Sequence, residues 1–223
     1  MKQIDLVDVK YAYDKKKTVL RGITATMETG KLYAILGPSG CGKTTLLSLI
    51  GGLDEPSSGK ILFDGVDIAE TGLAAHRKEN VAFIFQAYNL IDYMTPLENV
   101  RLTAKTDSVA ILAQLGLQPD EMKRSVLKLS GGQQQRVAIA RALASDATAI
   151  LADEPTGNLD EDTAAEITGI LKESAHSRGK CVVVVTHSAD LAREADVVFS
   201  LKKGALQVIE HAESLKDKKR KKS

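Results

Sequence analysis

Tryptophan is absent from the 223 residues, aromatic side chains make up only 4%, and there are two cysteines. Cys41 and Cys181 are far apart and lack any metal-ligand spacing, which excludes a disulfide framework and a cysteine-held zinc. Both are expected to be free thiols in a reducing compartment. Long apolar runs are missing too: the densest, residues 182–185, is far too short to cross a bilayer. A role at a membrane therefore needs another chain to do the crossing. The opening Met1-Lys2-Gln3-Ile4-Asp5 carries an early acid and no apolar stretch, unlike a secretory signal peptide. A net charge of +1 offers nothing for nucleic acid. The one biased stretch is 216–222, with six basic residues and Asp217. It reads as a solvated tail, or as a weak attraction to an anionic membrane face.

What is present is an ordinary globular balance, 43% hydrophobic and 26% charged, enough to fill a sizeable core. There is no internal repeat and no low-complexity linker. Short apolar runs at 32–36, 81–85, 149–152 and 182–185 read as buried strands. Between the last two, residues 163–174 place Ile167, Ile170 and Leu171 at helical spacing. Strand, helix, strand in that order predicts an α/β fold with a parallel sheet. Ile4, Leu6, Val7, Val9, Tyr11 and Tyr13 near the start point instead to antiparallel strands. Residues 87–128 contain no convincing strand but helix-like segments at 97–104 and 109–115. They are expected to form a small helical lobe inserted between two core strands.

Gly37-Pro38-Ser39-Gly40-Cys41-Gly42-Lys43-Thr44 fits the phosphate-binding pattern G-x-x-x-x-G-K-[ST] at every fixed position. It follows a predicted strand and precedes the helix-like Leu46, Leu47, Leu49 and Ile50. Glycines let backbone N–H groups turn inward around an anion, and the helix N-terminus adds partial positive charge. Lys43 is placed to meet the β- and γ-phosphates, and the Thr44 hydroxyl to ligate Mg²⁺; Thr45 extends the nucleotide contacts. Cys41 lies inside this loop. It is either a reactive thiolate beside Lys43 and the helix N-terminus or a small loop filler.

The strand at 149–152 ends in Asp153-Glu154. A buried strand seldom ends in paired acids without a cation or a reaction to serve. Asp153 is expected to hold Mg²⁺ and Glu154 to take the proton of an attacking water as general base.

Leu129-Ser130-Gly131-Gly132-Gln133-Gln134-Gln135-Arg136 supplies a second glycine-led helix start, ahead of the helix-forming run 133–144. Read locally, Ser130 can be a helix cap. One nucleotide cannot easily use two anion sites of one chain, whereas a second copy of the chain resolves the difficulty. The run resembles the signature motif of ABC ATPases, which completes the site of the opposite subunit in a head-to-tail dimer. That resemblance covers nearly the whole chain. It implies one ABC ATPase domain over 1–223: a P-loop NTPase core from 1–86 and 146–212 that includes the N-terminal antiparallel β subdomain, a helical lobe over 87–145, and a basic tail over 213–223. It implies that Ser130, Gly131, Gly132, Gln133 and the D-loop Asp160 act in trans. Gln86 looks like the Q-loop glutamine that meets Mg²⁺ and water, and His187 like the switch histidine at the γ-phosphate. Tyr13 resembles the aromatic residue that stacks on adenine, with Tyr11, two residues away on the same strand face, as its rival. Ser188 stands where the family often has Asp, and can equally cap the next helix.

Phe83-Ile84-Phe85-Gln86-Ala87-Tyr88-Asn89-Leu90-Ile91 and Asp153-Glu154-Pro155-Thr156-Gly157-Asn158-Leu159-Asp160 are similar to the ATPases of macrolide export, lipoprotein release, cell division and bacitracin-type peptide resistance. The resemblance implies an ATP- and Mg²⁺-dependent ATPase that dimerises, binds no nucleic acid, and sits in the cytoplasm on the inner membrane face through an integral membrane permease. Export, extraction or peptide resistance is the leading reading; mechanical signalling to cell-wall enzymes or a sensor is the other. Tyr88, Tyr93 and Met94 follow Gln86 closely. They are expected to help form a groove for a cytoplasmic helix of the permease, or else to pack the lobe against the core.

Overall fold

The computed structural model describes residues 2–14 and 18–209; the basic tail lies outside the described residues. Ten strands and eight α-helices are ordered along the described chain: β1 (Gln3–Ala12), β2 (Thr18–Glu28), β3 (Leu32–Leu36), α1 (Lys43–Ile50), β4 (Ser58–Phe63), β5 (Val66–Asp67), α2 (Ile68–Thr71), α3 (Leu73–Glu79) and β6 (Val81–Ile84). There follow α4 (Pro96–Arg101), α5 (Ser108–Gln114), α6 (Gly131–Leu143), β7 (Ala149–Asp153), α7 (Glu161–His176), β8 (Cys181–Thr186), α8 (Ala189–Glu194), β9 (Val197–Lys202) and β10 (Ala205–Ile209).

The strands form two sheets. One is antiparallel with order β2-β1-β4-β5, the other six-stranded with order β10-β9-β3-β8-β7-β6. In the larger sheet β9, β3, β8, β7 and β6 run parallel, and β10 closes the edge antiparallel to β9. Parallel strands need crossovers: α7 connects the neighbours β7 and β8, and α8 carries the chain from β8 past β3 to β9. Alternation along the strands divides the core in two. Leu32, Ala34, Ile150, Ala152, Val182 and Val184 face the lobe and α7. Tyr33, Ile35, Leu151, Val183 and Val185 face α1 and the antiparallel sheet. Because both faces are covered, these strands read as continuous apolar runs.

β1 breaks strict alternation at Val7-Asp8. Its register shifts between Leu6 and Val9, and Asp8 takes φ 48°, so a bulge leaves both Val7 and Asp8 facing outward and returns Val9 to the buried face of Leu6. Gly59 lies against this bulge, where a Cβ would come 2.3 Å from the Asp8 carbonyl oxygen. β1 ends at Ala12, so Tyr13 lies past the strand and does not share a strand face with Tyr11.

Residues 87–145 carry α4, α5, two 3₁₀ turns (Glu121–Lys123 and Val126–Lys128) and α6, with no strand among them. Thr95 and Glu98 form a reciprocal capping box at α4, and the Asp107 carboxylate caps α5. Val100, Ile111, Leu112, Val137 and Ile139 join the same apolar cluster as Ala152 and Val184, which anchors the helical segment to the parallel sheet.

Candidate active site

Four parallel strands end at one edge of the sheet, where ligand sites of such sheets form. β3 runs into the phosphate loop, β8 into Thr186-His187, β7 into Asp153-Glu154, and β6 toward Gln86. Since these strands are neighbours in the order β3-β8-β7-β6, the four groups come side by side without long connections.

The loop 37–42 turns through Gly40 at φ 74° and Gly42 at φ 103°, the latter serving as cap of α1. A Cβ at Gly42 would lie 2.7 Å from Val19 Cγ1, and one at Gly37 2.5 Å from the Leu201 carbonyl oxygen. Lys43 Nζ folds over the loop and donates to the carbonyls of Gly37 (2.8 Å) and Pro38 (3.2 Å). Cys41 is half-buried against the core between the sheets, with Sγ 2.7 Å from where a Gly37 Cβ would stand. That packing favours the loop-filler reading.

The Thr44 side chain lies beside the Asp153 carboxylate, where the phosphate loop meets the end of β7. Burial pushes the Asp153 carboxyl above its ordinary range; Thr44 opposes this, the Glu154 charge adds to it, and Lys43 opposes it. Two hard oxygen donors therefore come together beside the loop. No cluster of three or more His, Cys, Asp or Glu side chains suited to a metal exists among the described residues. This donor set fits Mg²⁺, which takes one or two protein oxygens and completes its shell with phosphate and water.

Glu154 adopts φ 46°, a left-handed conformation unusual for a non-glycine residue. Its backbone N–H bonds to the Val185 carbonyl (2.9 Å), continuing the β7–β8 ladder by one residue. Its Oε2 accepts from Thr186 Oγ1 at 3.1 Å and from the His187 N–H at 3.3 Å, and lies 3.0 Å from His187 Nδ1. The Glu154 side chain is 13% exposed and that of His187 71%, so the carboxylate is enclosed and the histidine faces outward. Ser188 caps α8 by accepting from Leu191 N–H, as expected for a serine there. Gln86 is exposed in the turn after β6.

The two tyrosines separate cleanly. Tyr13 is 63% exposed, with its hydroxyl 2.9 Å from Thr45 Oγ1 beside the phosphate loop. Tyr11 is buried, and its hydroxyl donates to Asp54; that bond first, then burial, pushes its ionisation up to about 12.

Ser130 caps α6 in a reciprocal box: Ser130 Oγ accepts from Gln133 N–H at 3.3 Å and Gln133 Oε1 accepts from Ser130 N–H at 3.0 Å. Gly131 and Gly132 open the helix at the surface. Asp160 caps α7 through Thr163 N–H and hydroxyl, both at 2.9 Å, and these bonds hold its carboxyl below the usual range. Ser130 and Asp160 are both exposed, at the N-termini of α6 and α7.

The sequence model of the ABC transporter family matches residues 20–157. The chain belongs to the ABC transporter family. An ABC transporter ATP-binding protein of Bacillus subtilis, YclH, is 42% identical over 95% of this chain and 98% of its own. The lipoprotein-releasing system ATP-binding protein LolD of Syntrophus aciditrophicus is 40% identical over 84% and 90%. Among solved structures, the dimeric bacterial cassette MJ0796 superposes with TM-score 0.83 at 36% identity, covering 92% of this chain and 96% of that one. A post-hydrolysis form of that dimer, bound to ADP and Pi, gives 0.80. The cassette is thus an ATP-hydrolysing transporter subunit of a dimerising kind.

A cavity of about 810 Å³ opens between β6 and the helical segment, lined by Phe83, Phe85, Leu102, Ala104 and Arg141 among others. Tyr88, Tyr93 and Met94 are not among its lining residues. Tyr93 is 83% exposed, Met94 is tied through its carbonyl to Val126 N–H, and the Tyr88 hydroxyl approaches Gly131. The cavity lies beside Phe85 and Leu102 and takes in Asn89 from the segment 87–96. Thr186, which orients Glu154, was not singled out in the sequence. A threonine ending an apolar strand carries no signal of its own there.

Proposed function

We propose that two copies of this cassette close head to tail around two ATP–Mg²⁺, and that hydrolysis drives an integral membrane permease from the cytoplasmic face. Thr44 and Asp153 would hold Mg²⁺, with Gln86 contributing from the neighbouring strand end. When bound, the ion would offset charge on the phosphates. The phosphate loop N–H groups and Lys43 hold the β- and γ-phosphates, Thr45 extends that contact, and Tyr13 stacks on the base. Glu154 takes the proton of the attacking water, held by Thr186 and the His187 backbone, and His187 turns its ring to the γ-phosphate. Ser130, Gly131, Gly132, Gln133 and Asp160 complete the site of the other copy. Permease contact falls to the cleft beside Phe85 and Leu102, one residue from Gln86 in sequence. No helix among the described residues is long and apolar enough to cross a membrane.

The observation that carries this reading is the convergence on Glu154 Oε2 of Thr186, His187 N–H and His187 Nδ1, beside Asp153 and the phosphate loop. Mixing Lys43→Ala chains with Ser130→Arg chains tests the composite site. Each homodimer is inactive, but the mixed dimer keeps one intact site and should hydrolyse ATP. Absence of rescue at every ratio, with mixed dimers formed, contradicts the trans assignment.

A further inference from the structure

The signature helix α6 reaches back into its own chain at two points. Gln135, 1% exposed, donates through Nε2 to the Pro155 carbonyl at 2.8 Å, the residue directly after Glu154. Arg141 donates from its two terminal guanidinium nitrogens to Asn89 O at 2.7 Å and Tyr88 O at 3.1 Å, in the turn directly after Gln86. Six positions apart, the two side chains leave the helix about 120° from each other and about 9 Å apart along its axis.

Both targets are turns in unfavourable backbone. Glu154 has φ 46°, Tyr88 59° and Asn89 48°. Non-glycine residues hold such angles only when the surroundings over-determine them, and such strain gathers at functional sites. A second sign comes from Gln135 itself. Its Oε1 is a buried acceptor without a partner among the described residues. Burying an amide with one end unsatisfied is unfavourable, and an apolar side chain of the same length would avoid it. The sequence keeps the amide, and what it supplies is the bond to Pro155. Arg141 likewise offers a rigid fork that spans two consecutive carbonyls, a geometry lysine cannot copy.

We propose that Gln135 and Arg141 are positioning residues: from the signature helix they hold the turns that aim Glu154 and Gln86 of the same chain. The helix whose N-terminus serves the partner's nucleotide would thereby also set the hydrolytic groups of its own. The two composite sites of a dimer are then linked through one rigid rod, α6, at each end. The inference rests on the roles given to Glu154, Gln86 and Ser130 under Proposed function.

The mixed dimer separates this from a merely structural role. In a pair of Lys43→Ala and Ser130→Arg chains, the live site uses the phosphate loop and Glu154 of the Ser130→Arg chain and the signature of the Lys43→Ala chain. Gln135→Met or Arg141→Gln placed in the Ser130→Arg chain should lower kcat about tenfold or more, with KM within about twofold. Placed in the Lys43→Ala chain, the same changes should leave the rate within about twofold. Equal losses from both placements, or loss only from the signature-donating chain, would mean that these side chains merely support α6, and the proposal would be wrong. Should Gln135→Met fail to fold, Gln135→Glu has nearly the same volume and exchanges the donor for an acceptor. If the parental pair shows no rescue, the fault lies with the trans assignment. The homodimers then decide: kcat lost with unchanged affinity for an ATP analogue supports the positioning role, and unchanged kcat overturns it.

Discussion

Glu154 and His187 meet at 3.0 Å, Oε2 to Nδ1, although one side chain is nearly enclosed and the other largely open to solvent. The Thr186 hydroxyl and the His187 N–H bind the same oxygen, so three contacts from the end of β8 steer one carboxylate at the end of β7. The pairing follows from the sheet: Asp153 stands opposite Val185, and the next residue on each strand completes the contact.

Thr186→Val should therefore cost rate without costing the fold. It is close to isosteric; it removes one donor to a charged group, worth about 1.5 kcal/mol or roughly tenfold in kcat, together with the acceptor of the Ser188 N–H, which Thr186→Ser keeps. Thr186→Ser should retain most activity. Steady-state kinetics of both variants check this, and a Thr186→Val rate equal to wild type would mean the hydroxyl does not orient the base.

Tyr13 and Tyr11 should respond in opposite ways. Tyr13→Ala removes an exposed ring beside the phosphate loop and should weaken binding of an ATP analogue about five- to tenfold, the scale of one aromatic contact, with little change in melting temperature. Tyr11→Ala opens a cavity in the core between the sheets and should destabilise by about 3 kcal/mol. Calorimetric titration and thermal melts together distinguish the two.

His76 should make stability fall in mild acid. It is buried on α3, lies 3.0 Å from the Ile50 carbonyl through Nε2, and has Asn80 Nδ2 at 3.3 Å from Nδ1. Burial first, and the nearby Arg77 as well, lowers its pKa, with the Ile50 bond opposing. The unfolded chain then binds the proton more readily than the folded one, so stability is full above the unfolded value of about 6.5 and is lost as pH falls below it. Melting temperatures at pH 7.5 and 5.5 should differ more for the wild type than for His76→Gln.

Leu102, 52% exposed at the mouth of the cleft beside Phe85, should matter to the permease and not to the isolated cassette. Leu102→Glu should keep basal hydrolysis and lose stimulation by the co-expressed membrane partner. Tyr93→Glu, outside the cleft, should leave that stimulation intact. The reverse result would return the contact to residues 87–96.

The phosphate loop, Asp153, Glu154 and the four buried strands were legible because each couples a fixed residue pattern to an apolar run. Strands β4, β5, β9 and β10 were not singled out. β4 begins with the polar Ser58-Gly59-Lys60, β10 is largely exposed, and β9 owes its place to tertiary pairing with β3. The strand 81–85 ends one residue early, at Ile84, before the turn that carries Gln86. Tyr11 and Tyr13 could not be separated by spacing, since the end of β1 at Ala12 is set by its partners. Arg141 and Gln135 looked like ordinary helix residues, because the carbonyls they bind lie 52 and 20 residues away in sequence.

The most direct test of the hydrolytic account is the turnover of Glu154→Gln. The amide keeps the shape of the side chain and cannot take the proton of water. ATP binding should persist while kcat falls by about 10²–10⁴-fold, equivalent to about 3–5 kcal/mol of barrier, and unhydrolysed ATP should hold two chains together as a dimer in light scattering. Near-normal turnover by the variant would contradict the assignment of Glu154 as the base.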